Sequence, residues 1–358
     1  MTVLAIVQCW NKEDPVRGFT VSWIEALADE AGRVVVLALE KRHDSTNSRV
    51  EVLSLGKESY AGFWRYFYYL LNWHRAMSRI MRDVRPDIVF THMAPVYSVL
   101  AYPYARLRGV PVITWFTHPR GSLVLRLAHA LSARVVSVSR HSYPYPDGKL
   151  IAVGHGIDTD FFTPASHPLS SPPLLVCAGR VSSIKNIRLL LNTVSLLASS
   201  GIIFKLAILG SSVTEKDRAY KKDLEHFVVV AGLGDSIRFI PAVSASELRD
   251  WYRCATLQIN CTESGSSDKV ILEGMACGTP CIAVAPAFKD AFGNYATLLS
   301  FVPPDAAQIT ERIRTVLAMP GEEYSALRAA MQHGVQISYS LPVFCRKLVH
   351  ILTTLKKE

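Results

Sequence analysis

The 358-residue chain lacks most of the signatures that would assign a class at once. Its seven cysteines, at 9, 177, 254, 261, 277, 281 and 345, form no C-x-x-C pair and are odd in number, which argues against a disulfide framework and a zinc ribbon. Reduced, cytosolic thiols fit best. No export signal opens the chain, because the short apolar run Val3 to Val7 leads at once into Gln8 and the polar Asn11-Lys12-Glu13-Asp14. No apolar stretch reaches about 20 residues without an Arg, Asn or Pro, so a membrane-spanning helix is not expected. The expectation is a cytoplasmic protein, soluble or peripheral on the inner face of a membrane. No G-x-G-x-x-G follows the first apolar run, where Gln8-Cys9-Trp10 stand instead, and no G-x-x-x-x-G-K-[ST] occurs. Dehydrogenase and P-loop ATPase readings lose their main support. Acidic residues are missing altogether from Ile88 to Pro146, where Arg106, Arg108, Arg120, Arg126, Arg134 and Arg140 fall. With a net charge of +9, this distribution favours an anionic partner and places the basic field in the first half.

What is present is an ordinary globular composition, 49% apolar and 19% charged, which excludes a disordered chain. The length suggests two domains at roughly 150 residues each. Short Val- and Ile-rich runs alternate with helical patterns, the mark of βα units and a parallel sheet covered on both faces. Strands are expected near Val3–Val7, Arg33–Leu39, Val50–Leu53, Asp87–Thr91, Pro111–Thr117, Arg134–Val138 and Leu150–Val153. A second series runs near Leu174–Ala178, Phe204–Leu209, Ile237–Ile240, Thr256–Asn260, Pro280–Val284 and, more weakly, Ala296–Leu299. The Pro- and Ser-rich stretch from Phe162 to Pro173 reads as the linker. The expected fold class is therefore α/β: two Rossmann-like doubly wound domains, 1–165 and 170–340, with ligand crevices meeting at a shared central cleft. A last helix, within 341–358, could cross back to the first domain.

Three segments carry candidate chemistry. His118 follows the strand Pro111–Thr117 and His92 ends Asp87–Thr91, both at a carboxyl edge where side chains reach a crevice; either could also be a packing residue. Cys177-Ala-Gly179-Arg180-Val-Ser-Ser-Ile-Lys185-Asn186 follows a strand and opens a helix. Glycine admits close backbone approach, while Arg180 and Lys185 offer a fork and a point charge to one anion, which suits a diphosphate; two solvated loop cations are the alternative. Gly265-Ser266-Ser-Asp268-Lys269-Val270-Ile-Leu-Glu273 leads into a helix whose N-terminal amides could meet phosphate, with Glu273 able to accept ribose hydroxyls. The alternative is a helix capped by Asp268 with a surface glutamate. Further upstream, the helical stretch Phe63 to Arg82 places Phe63, Phe67, Leu70, Met77 and Met81 on one face. Arg75, Arg79 and Arg82 lie elsewhere on it, so it is either a core helix with a basic outer face or a dock for an anionic membrane.

In order and spacing, His155-Gly-Ile-Asp-Thr-Asp-Phe-Phe, Gly179-Arg180 with Lys185-Asn186, and Asp268-Lys-Val-Ile-Leu-Glu273-Gly-Met-Ala-Cys-Gly-Thr-Pro280 resemble the retaining GT-B glycosyltransferases of family 4 (glycosyl transferases group 1). The resemblance implies a hexosyltransferase of the EC 2.4 class, using a nucleotide-diphosphate sugar as co-substrate and needing no cofactor or metal. It implies an acceptor hydroxyl bound mainly by the first domain; the basic and aromatic residues from Phe63 to Arg82 and the acid-free stretch after them suit a lipid-linked, glycolipid or polysaccharide acceptor, and no nucleic-acid module is matched, so no nucleic acid is expected. By position, Arg180 and Lys185 hold the diphosphate, Glu273 the ribose, and the amides of Lys269 and Val270 the phosphate. Gly179, Gly265 and Ser266 line the donor site, and His118 is the counterpart of the family histidine beside the reacting sugar. Two departures stand out. The family often has a glutamate eight positions before the ribose glutamate, and here that position is Gly265, with Glu263 two residues away. The glycine-rich loop usual after the first strand is thinned to Pro15-Val-Arg-Gly18-Phe, so Gly18 is the remaining candidate there. The resemblance implies charge stabilisation by Arg180, Lys185 and the helix dipole, with no enzymic nucleophile. Competing readings are a nucleotide-sugar epimerase, a phosphorylase, and a non-enzymatic basic protein binding membrane or nucleic acid.

Overall fold

In the computed structural model, residues 1–14, 18–57, 65–165, 170–262, 268–284, 289–300 and 305–355 are described. The chain divides into two units, Met1–Gly156 with Leu341–Glu358, and Ile157–Ser340. The division lies ahead of the Pro- and Ser-rich stretch because Ile157 and Phe162 are buried in the core of the second unit.

The first unit contains β1 (Thr2–Trp10), α1 (Phe19–Ala31), β2 (Arg33–Lys41), β3 (Val50–Ser54), α2 (Arg65–Arg79), β4 (Ile88–His92), α3 (Pro95–Arg106), β5 (Val112–Trp115), α4 (Leu123–Leu131), β6 (Arg134–Ser137) and β7 (Leu150–Ala152). The strands form one parallel sheet in the order β3-β2-β1-β4-β5-β6-β7. Its central strands are apolar on both faces because both are covered: Val3, Ala5 and Val7 share a core with α1, and Leu4 and Ile6 share one with α2 and α3. Four buried hydroxyls thread the sheet, Thr91 to Ser98 to Thr114 to Ser132, each step 2.6 Å, so no polar group in that chain is stranded.

The second unit contains β8 (Leu174–Ala178), α5 (Ile187–Ser199), β9 (Lys205–Leu209), α6 (Glu215–Val230), β10 (Ile237–Ile240), α7 (Ala245–Cys254), β11 (Leu257–Asn260), α8 (Lys269–Ala276), β12 (Cys281–Ala283), α9 (Lys289–Phe292), α10 (Ala296–Leu299), α11 (Ala306–Leu317) and α12 (Gly321–Tyr339). Its parallel sheet has the order β10-β9-β8-β11-β12. Capping boxes fix the starts of α6 and α7: Thr214 with Asp217, and Ser244 with Glu247. Finally α13 (Leu341–Leu355) returns to the first unit and packs on α1, placing Phe344 5.0 Å from Trp23 between ring centroids. Pro342 is tolerated because it lies in the first turn, where its missing N–H costs nothing.

One expectation fails. Ala296–Leu299 is a short helix, α10, and not a strand; among the described residues Ser300 beyond it bridges to Ala283 of β12. A four-residue apolar run has no period by which strand and helix could be told apart. In the Phe63–Arg82 stretch, Trp73, Met77, Ile80 and Met81 are buried, whereas Phe67 and Leu70 are 59% and 53% exposed. Tyr69 is half-buried against the same core, while His74, Arg75 and Arg79 face outward; Phe63 lies outside the described residues.

Candidate functional site

In an open parallel sheet the strand order reverses at one point, and the connections leaving the two strands there go to opposite faces, opening a crevice at their carboxyl ends. In the second unit that point lies between β8 and β11. The Gly179–Lys185 segment follows β8, and the segment leading to Asp268 and α8 follows β11.

Adjacent strands β8 and β9 are each followed at once by a glycine, and the reason is spatial. Gly179 has φ +129° and Gly210 φ +152°, and a Cβ on Gly210 would stand 1.9 Å from the carbonyl oxygen of Gly179. The stem of Lys185 runs over Gly179, where a Cβ would meet its Cε at 3.3 Å. Its ammonium reaches Asp268 Oδ2 at 2.5 Å. The same oxygen accepts from Asn260 Nδ2 and Thr262 Oγ1, each at 3.0 Å. Burial pushes the Asp268 carboxyl up, but the Lys185 charge and these hydrogen bonds outweigh it and hold the pKa below the usual carboxylate value. Asp268 occupies the residue before α8, yet its side chain does not cap the helix. The alternative of a helix capped by Asp268 with a surface glutamate is thus not what is found: the carboxylate is turned to Lys185.

Glu273, one turn into α8, is buried with its side chain 6% exposed, and Lys269 Nζ lies 2.8 Å from its Oε1. Val270 is the second residue of α8, and its carbonyl accepts from Gln258 Nε2 at 3.0 Å, tying the helix to the centre of β11. Gly274 makes room for that glutamine, since a Cβ there would lie 2.1 Å from Gln258 Oε1. Arg180 sits near Asp217, whose carboxyl is held low first by the Thr214 amide and in part by the Arg180 charge. Gly265 and Ser266, like Glu263, lie outside the described residues. Burial pushes the Cys177 thiol up to about 12, which removes it as a nucleophile near neutral pH.

In the first unit, β5 ends at Trp115, so His118 lies beyond the strand in the loop to α4. It is exposed, and its Nδ1 accepts from the Arg120 amide at 3.1 Å. His92 ends β4 as expected but is buried against Trp23 and Trp115, and burial pushes its pKa down to about 4. It is the packing histidine of the two. Gly18 precedes α1, and a Cβ there would stand 2.3 Å from the Lys12 carbonyl and 2.7 Å from that of Asp14. The loop folding back on itself is thus sufficient reason for that glycine. An Asp-x-Asp string, Asp158-Thr-Asp160, is also present; Asp158 Oδ1 accepts from the Phe161 amide at 3.0 Å and closes a turn.

Sequence reasoning missed Gly210, Gln258, Asn260, Thr262 and the true partner of Asp268. Gly210 carried a legible signal, a glycine directly after an apolar strand. The three polar residues in and after β11 carried a weaker one, as hydrogen-bonding side chains in a run otherwise fit for a core.

Residues 172–319 match the family described as Glycosyl transferases group 1, and residues 13–138 match Glycosyl transferase 4-like. Among curated relatives, a D-inositol 3-phosphate glycosyltransferase of Arthrobacter sp. (strain FB24) is 35% identical over 138 residues, covering 36% of this chain and 32% of the relative. One from Mycolicibacterium smegmatis is 27% identical over 204 residues, covering 54% of this chain and 45% of the relative. The match thus spans about a third of the first relative's length. Among solved structures, a glycosyltransferase from Rickettsia africae superposes with a TM-score of 0.74 at 16% identity, covering 100% of this chain and 99% of the other. Anabaena Alr3699/HepE, in complex with UDP and glucose, superposes with a TM-score of 0.71 at 13% identity, covering 99% and 100%. These likenesses establish a GT-B fold of two Rossmann-like units. Both matched family models describe glycosyltransferases, and together they span residues 13–138 and 172–319 of this chain.

Proposed function

We propose that the protein transfers a sugar from a nucleotide-diphosphate donor to an acceptor hydroxyl with retention of anomeric configuration. One observation carries the reading: Gly179, Arg180, Lys185 and the start of α8 stand along the carboxyl edge at the β8/β11 reversal, with Glu273 one turn into that helix. Breaking the bond between sugar and diphosphate leaves negative charge on the diphosphate. Arg180, Lys185 and the amides near Lys269 and Val270 are the groups that would stabilise it, and preorganised charge of this kind is usually the largest catalytic contribution. Because those groups supply the charge, the reading needs no metal. Glu273 would take the ribose hydroxyls, and His118 would contact the sugar. Uridine nucleotides are a reasonable first donor class, since the Anabaena neighbour holds UDP.

A glycolipid or polysaccharide acceptor, met at an anionic membrane face, is the acceptor reading. Its support is the first unit, where Leu123, Val124 and Leu127 are 84%, 46% and 48% exposed on α4, beside exposed Arg120 and Arg126. No described helix is long and apolar enough to cross a membrane. An inositol phosphate is a second acceptor class to test, on the strength of the relatives' names.

The test is nucleoside diphosphate release from UDP-, GDP- and ADP-sugars with and without membrane glycolipid extract, inorganic phosphate and EDTA. Release that needs the extract, survives EDTA and gives a product of unchanged anomeric configuration supports the proposal. Release that needs phosphate and yields a sugar 1-phosphate would identify a phosphorylase, and acceptor-independent formation of an epimeric nucleotide sugar, or of the free epimeric sugar with nucleoside diphosphate, an epimerase; release as unchanged free sugar is hydrolysis.

A further inference from the structure

Three elements converge on one oxygen. Asp268 Oδ2 accepts from Lys185 of the β8–α5 segment, from Asn260 at the end of β11, and from Thr262 in the loop beyond. Both partners of the ion pair are largely shielded, each with a side chain 19% exposed. Lys185 is held from the other side by Gly179, whose missing side chain lets the lysine stem lie against the strand end.

This arrangement has two opposed effects on an anion at the same edge. A lysine carries four rotatable bonds, and fixing it on Asp268 removes the ordering cost that would otherwise be met when ligand arrives. The carboxylate also cancels part of the lysine's attraction for a diphosphate, so the site gains geometry and gives up grip. For a transferase whose product is a free nucleoside diphosphate, weaker grip speeds product departure, a step that often limits turnover.

We propose that Asp268 is a positioning residue, which holds the Lys185 ammonium in place for the donor diphosphate and keeps the nucleoside diphosphate product from being retained too tightly. The inference rests on the diphosphate reading of this edge. Asp268 touches neither sugar nor acceptor in it; it acts through Lys185.

The experiment compares wild type, Asp268→Asn, Lys185→Met and the double variant. It measures calorimetric binding of UDP, GDP and ADP at low and high salt, kcat and KM for the sugar donor, and thermal midpoints. Asn keeps an acceptor oxygen for Asn260 and Thr262 while removing the charge. Asp268→Asn is expected to bind the preferred diphosphate on the order of fivefold more tightly at low salt, with the gain shrinking at high salt, and to lower kcat. In the Lys185→Met background the same change should have little effect on kcat. Unchanged or weaker diphosphate binding in Asp268→Asn, or an equal kcat loss with and without Lys185, would overturn the proposal and leave Asp268 a structural residue. Should Asp268→Asn fail to fold, Asp268→Glu keeps the charge and displaces the ammonium: unchanged diphosphate affinity with reduced kcat supports the proposal, and unchanged kcat overturns it. If wild type binds none of the three diphosphates, the diphosphate reading itself falls; if it binds one and the variants do not differ, only the role of Asp268 does.

Discussion

Gly210 faces the carbonyl oxygen of Gly179 with no room for a side chain, since a Cβ would stand 1.9 Å from that oxygen. The clash is with backbone, and φ is +152°, so neither rotation nor rotamer change relieves it. Gly210→Ala should therefore destabilise the protein by at least about 3 kcal/mol in urea unfolding. Gly201, with φ +81° and open space around it, supplies the control: Gly201→Ala should cost only about 1 kcal/mol. Equal costs at the two positions would deny the close approach.

Gly274 and Gln258 form a second coupled pair. A Cβ at 274 meets the end of the Gln258 side chain at 2.1 Å, so Gly274→Ala alone should be destabilising despite alanine's better helix propensity. Adding Gln258→Ala removes the obstacle. The double-mutant cycle should show a favourable coupling of about 1–3 kcal/mol. Additive effects would mean that the glutamine does not set the residue at 274.

Burial holds the His92 imidazole at about 4, below the ordinary 6.5. As pH falls, the unfolded chain takes up this proton first, so stability is lost from about pH 6.5 down to about pH 4. Between pH 7.5 and 4.5 the loss from this group should come to about 2–3 kcal/mol, and His92→Phe should remove it. Parallel stability–pH curves for wild type and His92→Phe would contradict the assignment.

The alternation of short apolar runs with helical patterns was enough to read two α/β units, because strands such as Val34–Ala38 are buried on both faces and carry no polar residue. Arg180, Lys185 and Glu273 stand out in the sequence as charged residues after a strand or in a helix's first turns; a ligand role for them belongs to the proposal, not to the fold. Ala296–Leu299 was misread because four residues hold no period. Phe67 and Leu70 are exposed although they share a face with Met77 and Met81, because helical spacing says which residues share a face but not how far that face stays covered. Asp268 stands just before a helix, a position that favours capping; the competing claim of Lys185, 83 residues away in the chain, is visible only in three dimensions.

The outward face of α4 predicts reversible binding to anionic vesicles. Each arginine near such a surface contributes about 1 kcal/mol, so Arg120 and Arg126 with the exposed leucines should give salt-sensitive co-sedimentation. Leu123→Glu with Leu127→Glu should abolish it. Arg79→Glu and Arg82→Glu should matter less, because both arginines already lie within 4 Å of Asp83, at 3.8 and 2.9 Å. Binding that survives the α4 changes, or none at low salt, would remove the membrane reading while leaving the donor site untouched.

A nucleotide-diphosphate sugar on the second unit's carboxyl edge is read most directly by a thermal-shift panel of UDP-, GDP- and ADP-sugars on wild type, Arg180→Ala and Glu273→Gln. A ligand at about a hundred times its Kd stabilises the native state by about 2.7 kcal/mol, a shift of a few degrees for a protein of this size. One donor class is expected to raise the wild-type midpoint, and both variants, folded and with near-wild-type midpoints of their own, to lose most of that rise. A rise that both variants keep in full would contradict a donor site at this edge.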